Sequence, residues 1–505
     1  VVNAGEWLYK HSIRKPNATA VVIDEKRFTY AELNERVNRL ANALTGLGIK
    51  EGDRAAILAF NSNEYIEFVL ALAKLGAIVV PLNFRLAPPE IEYILNDSGS
   101  KLLIFGQEFS HIYEELRERV DLENYIIISD EAAEPLKTYE GLLAGASVAE
   151  PQIVATDIDS PLIIMYTSGT TGRPKGAVLT HGNVLFASLN VIQHGASDSE
   201  GPILICVPMF HVSGLTAQAL PTIYRGQPIV FQRYFDPEHA LQLIERERVA
   251  GMLAVPAVLL FMSQVTSFPE YDLSSMKAFF VGGAPCPVPV LRTYLERGVE
   301  IRQGFGMTES TGTGVVLEPE DGERKLGSCG RPMFHCNACI WDDSGKDAAP
   351  NTIGELMLRG PAMMKGYWNL PEQTKASFTD SWFHTGDIAR MDEEGYIYVV
   401  DRIKDMLITG GENVYPAEVE DVIMGHPKVA EVGVIGVPDE KWGESVRAVV
   451  VPLPGQALAH EEIRRFCEGK LAKYKIPKSV VFVDALPRNP AGKILKRILR
   501  EEHGL

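Results

Sequence analysis

YTSGTTGRPKG, residues 166–176, carries the glycines, hydroxyls and lysine of a loop that holds triphosphate. The Walker pattern demands Gly, four residues, Gly, Lys and then Ser or Thr. Five on from Gly169 stands Pro174 and five on from Gly172 stands Ala177, so the register fails from either glycine. Pro174 also steers Arg173 away from the right-handed helical region, which keeps Lys175 off a first helical turn. A phosphate loop built this way belongs to another architecture. SPLIIMY (160–166) precedes it as a buried strand, and a helix is predicted from near Asn183 in THGNVLFASLNV. The loop therefore stands beyond the C-terminal end of a strand, where open α/β sheets bind ligands.

The alternation continues outward. FTYAELNERVNRLANALTGLG (28–48) has Thr29 and Glu32 at capping-box spacing before an amphipathic helix with Leu33, Val37, Leu40 and Leu44 on one face, closed by Gly46 and Gly48. RAAILAF (54–60), a helix through Phe68 to Leu75, and AIVVPLN (77–83) follow as strand, helix and strand, which predicts an α/β layer with parallel strands. GPILICVP, QPIVFQ, MLAVP, MKAFFVGG and VEIRQGFG add strands between 201 and 306. From about Arg331 to Val400 short alternating runs such as GELMLRG and GYIYVV read as β-rich and barrel-like. After DRIKD (401–405) a compact mixture of helix and strand patterns returns. The expected division is an α/β N-terminal domain over 1–403, including the barrel-like part, and a small α+β domain over 404–505.

A chain of 505 residues is too long for one core. Its 49 basic and 66 acidic residues give a net charge of −17, which repels nucleic acid and anionic lipid as a whole. Any anionic ligand must be held by local groups. The apolar run FVLALAKLGAIVVPLN (68–83) is broken by Lys74 and ended by Pro81, short of the ~20 residues of a membrane span. The start shows no basic segment followed by an apolar one, and six cysteines are too sparse for a disulfide framework, so a reducing cytoplasm is expected. CGRPMFHCNAC (329–339) has zinc-like residue types, but the alternation after Phe334 reads better as a strand.

Three further segments follow the first loop in fixed order: QGFGMTES (303–310), SWFHTGDIARMDEEGYIYVVDRIKDMLITGGENVYPAEVE (381–420) and PRNPAGKILKR (487–497). Together the four resemble the adenylate-forming superfamily, which includes acyl- and aryl-CoA synthetases, firefly luciferase and peptide-synthetase adenylation domains. The resemblance runs from the first helix to Arg497. It implies the adenylate-forming fold with a mobile C-terminal domain, and ATP, Mg2+ and CoA as the small molecules used. A carboxylate is a poor electrophile at pH 7; attack on the α-phosphate of ATP gives a mixed anhydride from which a thiol can displace AMP. Two anions must be brought together and the phosphoryl charge neutralised by cations and oriented donors.

In the first loop Thr167, Ser168, Thr170 and Thr171, with the amides of Gly169 and Gly172, can surround the leaving phosphates as a nest, and Lys175 adds a point charge. A solvated turn is the plain alternative. The resemblance places Phe305 beside adenine, flanked by Gly304, Gly306 and Met307, with Thr308 on the α-phosphate and Glu309 and Thr167 on Mg2+. It gives Asp387 and Arg402 to the ribose, although an acid in a Thr-Gly-Asp turn can also cap a helix. Lys493 becomes the catalytic lysine, against the alternative of a solvated basic stretch. Lys404 becomes the hinge, and LITGGENVYP (407–416) the loop brought in for thioester formation, where Gly410 and Gly411 could line a narrow pantetheine tunnel. Arg85, Trp442, Tyr474 and Lys478 are the implied CoA contacts; the chain has Ile476 where related ligases carry a basic residue.

PMFHVSG (208–214) puts His211, Val212 and Ser213 at the acyl pocket by resemblance, though His211 could also be a core histidine. VGGAPCP (281–287) contributes Gly282, Gly283, Ala284 and Pro285 to the wall between adenine and acyl group, with Gly304 on its other side. None of these segments contains Lys or Arg, which favours a monocarboxylic acid with an apolar tail, fatty or aromatic. The expected activity is acid:CoA ligation through acyl-AMP. A carrier protein as acceptor, a luciferase-like oxygenase and a non-catalytic nucleotide-binding relative are the alternatives, and a homodimer is left open.

Overall fold

The computed structural model describes residues 2–129, 131, 136–167, 174–194, 201–283, 286–342, 344–402, 405–409, 412–439, 442–468, 470–471, 473–488 and 494–504; of residues 401, 402, 408, 412 and 413 only the backbone is described. The capping box at Thr29 forms as the spacing requires. Thr29 N–H donates to Glu32 Oε2 (2.8 Å), Glu32 N–H donates to Thr29 Oγ1 (3.2 Å), and the helix Tyr30–Gly46 buries Leu33, Val37, Leu40 and Leu44 completely. It packs on a second helix, Asn63–Leu75, capped by Ser62 and buried along its whole length. Lys74 can lie inside because its ammonium donates to Asn34 Oδ1, Asn38 Oδ1 and Glu150 Oε1 at 2.8, 2.7 and 2.5 Å.

Two large sheets carry the N-terminal part. In the eight-stranded sheet the order runs Gly366–Tyr367, Lys175–Thr180, Pro161–Thr167, Ile78–Pro81, Arg54–Leu58, Ser100–Gly106, Asn124–Ile128, Lys137–Thr138. Its strands are parallel from Pro161–Thr167 onward, as the alternation predicted. Six consecutive strands of the nine-stranded sheet are also parallel, from Glu300–Phe305 through Ile203–Ile205 to Thr19–Ile23.

The helix expected from near Asn183 forms beyond the opening loop. The helix after it does not follow directly: KGAVLT first forms the antiparallel strand Lys175–Thr180, with Thr167 opposite Lys175, and the helix is His181–His194. Valine and threonine at alternating positions favour the pleat over a helical start.

The β-rich texture between 331 and 400 forms a five-stranded antiparallel sheet built on Trp382–Met391, but Arg331–Pro332 and Gly366–Tyr367 join the two large sheets instead. The residues after Phe334 do form a strand, Asn337–Trp341. Among the described residues no group of three Cys, His or acidic side chains gathers as a metal site, and no helix is long and apolar enough to cross a membrane.

The small C-terminal domain has its own five-stranded sheet, centred on the long hairpin Val429–Asp439 and Gly443–Pro452, with helices Pro416–Met424, His460–Cys467 and Lys496–His503.

Candidate active site

Both large sheets contain a point where the strand order reverses. Ile203–Ile205 leads on to its neighbour Ile229–Phe231, whereas its other neighbour, Gly251–Ala254, leads on to Ala278–Val281 in the opposite direction. Arg54–Leu58 and Ser100–Gly106 form the same divergence in the second sheet. Such reversals open a crevice at the strand C-termini. The loop leaving Ile203–Ile205 carries His211.

Asn61, just beyond Arg54–Leu58, joins the two crevices. Its amide donates to Val207 O (3.0 Å) and Gln232 O (3.2 Å), and its Oδ1 accepts from Met209 N–H (2.9 Å). Rings from both sheets meet around it: Phe60 lies 5.1 Å from Phe109 and 4.8 Å from Phe84, and Phe84 lies 5.0 Å from Phe210. The Arg85 guanidinium lies over Phe84 at 5.5 Å, so this CoA candidate sits in the same neighbourhood as the loop of His211.

Ser213 N–H donates to His211 Nδ1 (3.3 Å), with Ser213 Oγ at 3.0 Å. The neutral ring therefore carries its proton on Nε2, and burial holds the pKa down at about 4. A π-helical turn, Leu215–Ala219, follows; Thr216 Oγ1 donates to Thr311 O (2.8 Å), tying this loop to the Thr308–Ser310 turn. Val212 packs there too, since a Cβ on Gly312 would lie 3.2 Å from Val212 Cβ. Gly282 and Gly304 are close-packed: a Cβ on Gly282 would meet Gly304 O at 3.1 Å. Gly283 has φ +80°, a left-handed turn residue at the end of Ala278–Val281.

Thr308 and Glu309 are buried in a short turn held by Met307 N–H donating to Ser310 Oγ (3.0 Å). Gly306 is required by backbone approach, because a Cβ there would lie 2.5 Å from Gly312 O. Phe305 is half-buried, with one side on the apolar core.

A segment that the motifs did not single out, residues 361–368, fastens these parts together. Met364 N–H donates to Glu309 O (2.7 Å), Lys365 N–H to Val178 O (2.9 Å) and Trp368 N–H to Gly176 O (2.7 Å). Asn183 donates to Pro361 O and Met363 O, and Thr311 Oγ1 to Ala362 O. Tyr367 Oη donates to Glu309 Oε1 (2.8 Å), and Lys175 Nζ stands over the Tyr367 ring. Thr167 faces Lys175 across the hairpin. The buried Glu309 carboxylate suits Mg2+, which takes few protein oxygens and completes its shell with substrate phosphate.

Asp387 lies within the strand Trp382–Met391, opposite Arg402 in register, and so caps no helix. The two strand residues before it are fixed by Gly386 N–H donating to Glu355 Oε1 (3.0 Å) and by Thr385 Oγ1 donating to Leu356 O (2.6 Å).

In the C-terminal domain Trp442 and Lys478 come together. Asp439 accepts from Trp442 N–H and Lys478 Nζ, both at 3.0 Å, and that ammonium lies over the exposed indole at 5.1 Å. Tyr474 is also exposed, whereas Ile476 packs on the domain core and is no substitute for a phosphate-binding cation. Ser168, Gly169, Thr170, Thr171, Gly172, Ala284, Pro285, Lys404, Gly410, Gly411 and Lys493 lie outside the described residues, as does the side chain of Arg402.

Asn61 and Tyr367 were missed in the sequence. Asn61 follows a strand without a motif around it, and the one sign of Tyr367 is its place in KGYW, between a glycine and an aromatic residue.

Known proteins agree with this architecture. Residues 8–368 match the family of AMP-binding enzymes and residues 418–493 the AMP-binding enzyme C-terminal domain. The long-chain-fatty-acid–CoA ligase FadD13 of Mycobacterium tuberculosis is 42% identical over 506 residues, covering 99% of this chain and 98% of its own. Feruloyl-CoA synthase of Amycolatopsis sp is 41% identical over 500 residues, covering 99% of each. The o-succinylbenzoate CoA synthetase of Bacillus subtilis has been solved with its acyl-adenylate intermediate (TM-score 0.88, 36% identity, 98% and 97% coverage) and with ATP and a magnesium ion (TM-score 0.87, 35% identity, 98% and 99% coverage). The chain belongs to the AMP-binding, adenylate-forming enzymes, and within them it is an AMP-forming acyl-CoA synthetase.

Proposed function

We propose that this ligase joins a monocarboxylic acid with an apolar tail, fatty or aromatic, to CoA in two half-reactions. In the first, a carboxylate oxygen attacks the α-phosphorus of ATP, the bond to the bridging oxygen breaks, and pyrophosphate leaves acyl-AMP behind. In the second, the CoA sulfur attacks the acyl carbon, the thiol proton passes to solvent, and AMP departs with the electron pair of the C–O bond. The observation that carries the reading is the convergence of Lys175 and Glu309 on one strap, with Thr167 opposite Lys175 across the hairpin and the strap linked through Thr311 and Thr216 to the loop of a neutral histidine.

The loop hydroxyls from Thr167 to Thr171 and the Lys175 ammonium hold the β- and γ-phosphates, Thr308 the α-phosphate, and Asp387 and Arg402 the ribose. Mg2+ on Glu309 and Thr167 would supply charge neutralisation at the phosphate oxygens. Lys493, carried by the domain 404–505, balances charge that grows between the carboxylate and α-phosphate oxygens. His211 donates one hydrogen bond from Nε2 and adds no charge. Rotation about Lys404 then exchanges Lys493 for Gly410 and Gly411, and CoA enters along Arg85, Trp442, Tyr474 and Lys478.

The test is a panel of straight-chain, aromatic and dicarboxylic acids assayed for pyrophosphate release with and without CoA, followed by mass analysis of the product. Monocarboxylic acids are expected to release pyrophosphate and yield CoA thioesters. A preference for dicarboxylic acids overturns the substrate class, and adenylation without thioester on CoA redirects the second step to a carrier protein.

A further inference from the structure

Glu309 and Lys175, a carboxylate and an ammonium from separate motifs, meet the same side chain. The Tyr367 hydroxyl donates to Glu309 Oε1 at 2.8 Å, and Lys175 Nζ stands over the Tyr367 ring, 5.2 Å from its centroid. The backbone around Tyr367 gives the ring little choice of neighbourhood. Met364 N–H is bonded to Glu309 O, Lys365 N–H to Val178 O, Tyr367 N–H to Thr374 Oγ1 and Trp368 N–H to Gly176 O.

An ammonium and a carboxylate that met in a partly desolvated site would gain by pairing directly. A direct pair would consume the two charges that Mg·ATP needs. We propose that Tyr367 is a positioning residue for adenylation: its hydroxyl orients the Glu309 carboxylate toward Mg2+, and its ring keeps Lys175 from pairing with that carboxylate. The inference rests on Glu309 as a Mg2+ ligand.

The test needs no turnover. Calorimetry with α,β-methylene-ATP, in Mg2+ and separately in EDTA, compares wild type with Y367F, Y367L and E309Q, each first checked for an unchanged melting curve. Y367F keeps the ring and loses the donor, so its affinity falls about tenfold in Mg2+ and stays at the wild-type value in EDTA. Y367L loses the ring as well and weakens in EDTA too, because Lys175 turns to Glu309. Loss of equal size with and without Mg2+ in Y367F assigns Tyr367 to pocket shape alone and overturns the proposal. Wild-type affinity of Y367F in Mg2+, with the Mg2+ enhancement lost in E309Q, overturns the anchoring role but leaves Glu309 at the metal. Equal behaviour of Y367L and Y367F overturns the role of the ring. If E309Q keeps the enhancement, the metal assignment fails and the proposal fails with it.

Discussion

His211 and His181 are both histidines kept neutral by burial, and they divide into two uses. His181 accepts the Ala4 N–H at 3.2 Å and is fully buried at the start of the helix His181–His194; its pKa, like that of His211, is held down at about 4. An unfolded histidine titrates near 6.5. Between these values the unfolded chain binds the protons that the folded chain refuses, so stability is complete above about pH 6.5 and declines as pH falls toward 4. Chemical denaturation at about pH 7 and about pH 5 is expected to show this decline, and His181→Asn is expected to make it shallower. A slope unchanged by that substitution would show that His181 does not titrate in this window. At this scale the sequence is readable where context is local: PMFHVSG singles out His211 as a candidate, but its tautomer depends on where the loop brings Ser213 N–H. Asp387 is the opposite case, since a Thr-Gly-Asp turn fits a helix cap as well as a strand, and only the pairing with Arg402 decides between them.

Elements whose signal lies in neighbouring side chains were legible, and those defined by distant backbone groups were not. The capping box of Tyr30–Gly46 is complete within a few residues. The strap 361–368 works largely through N–H groups that reach Glu309, Val178 and Gly176, and backbone amides leave no mark in composition. Asn61 likewise acts on three backbone groups belonging to two other loops. Asn61→Leu is expected to leave Val207 O, Gln232 O and Met209 N–H without their partner, at a cost of about 3 kcal/mol in total, since each lost buried bond costs roughly 1–3 kcal/mol and loops partly relax. Because the amide also spaces the loop of His211 from the second sheet, KM for the acid should rise more than KM for ATP. Denaturant titration and steady-state kinetics measure the two effects; a stability loss with both KM values unchanged would confine Asn61 to holding the sheets together.

At the scale of the molecule, two doubly wound sheets joined at their reversal points make a fixed platform, and a small domain with its own sheet carries the proposed catalytic lysine. The wide separation of the motifs along the chain made this division legible, because texture changes near residue 400 and long ordered segments lie on both sides of it. Which residues hold still on either side was not legible. Arg402 is bound through its backbone to Asp387 in the five-stranded antiparallel sheet, and Asp405 accepts from Arg500 of the terminal helix at 3.0 Å. Arg402 is thus tied to the N-terminal sheet and Asp405 to the terminal helix, so the domain rotation proposed above would be taken up between them. Proline at Lys404, the proposed hinge, fixes φ near −65° and would remove the freedom on which the proposed exchange depends. Lys404→Pro is expected to leave single-turnover pyrophosphate release within about threefold of wild type while slowing conversion of supplied acyl-AMP to thioester by about a hundredfold, the size expected when reacting groups are misplaced by an ångström or more. Rapid-quench measurement of each half-reaction separates the outcomes. Equal slowing of both would mean that proline damages the domain itself, and no slowing of either would move the hinge away from Lys404.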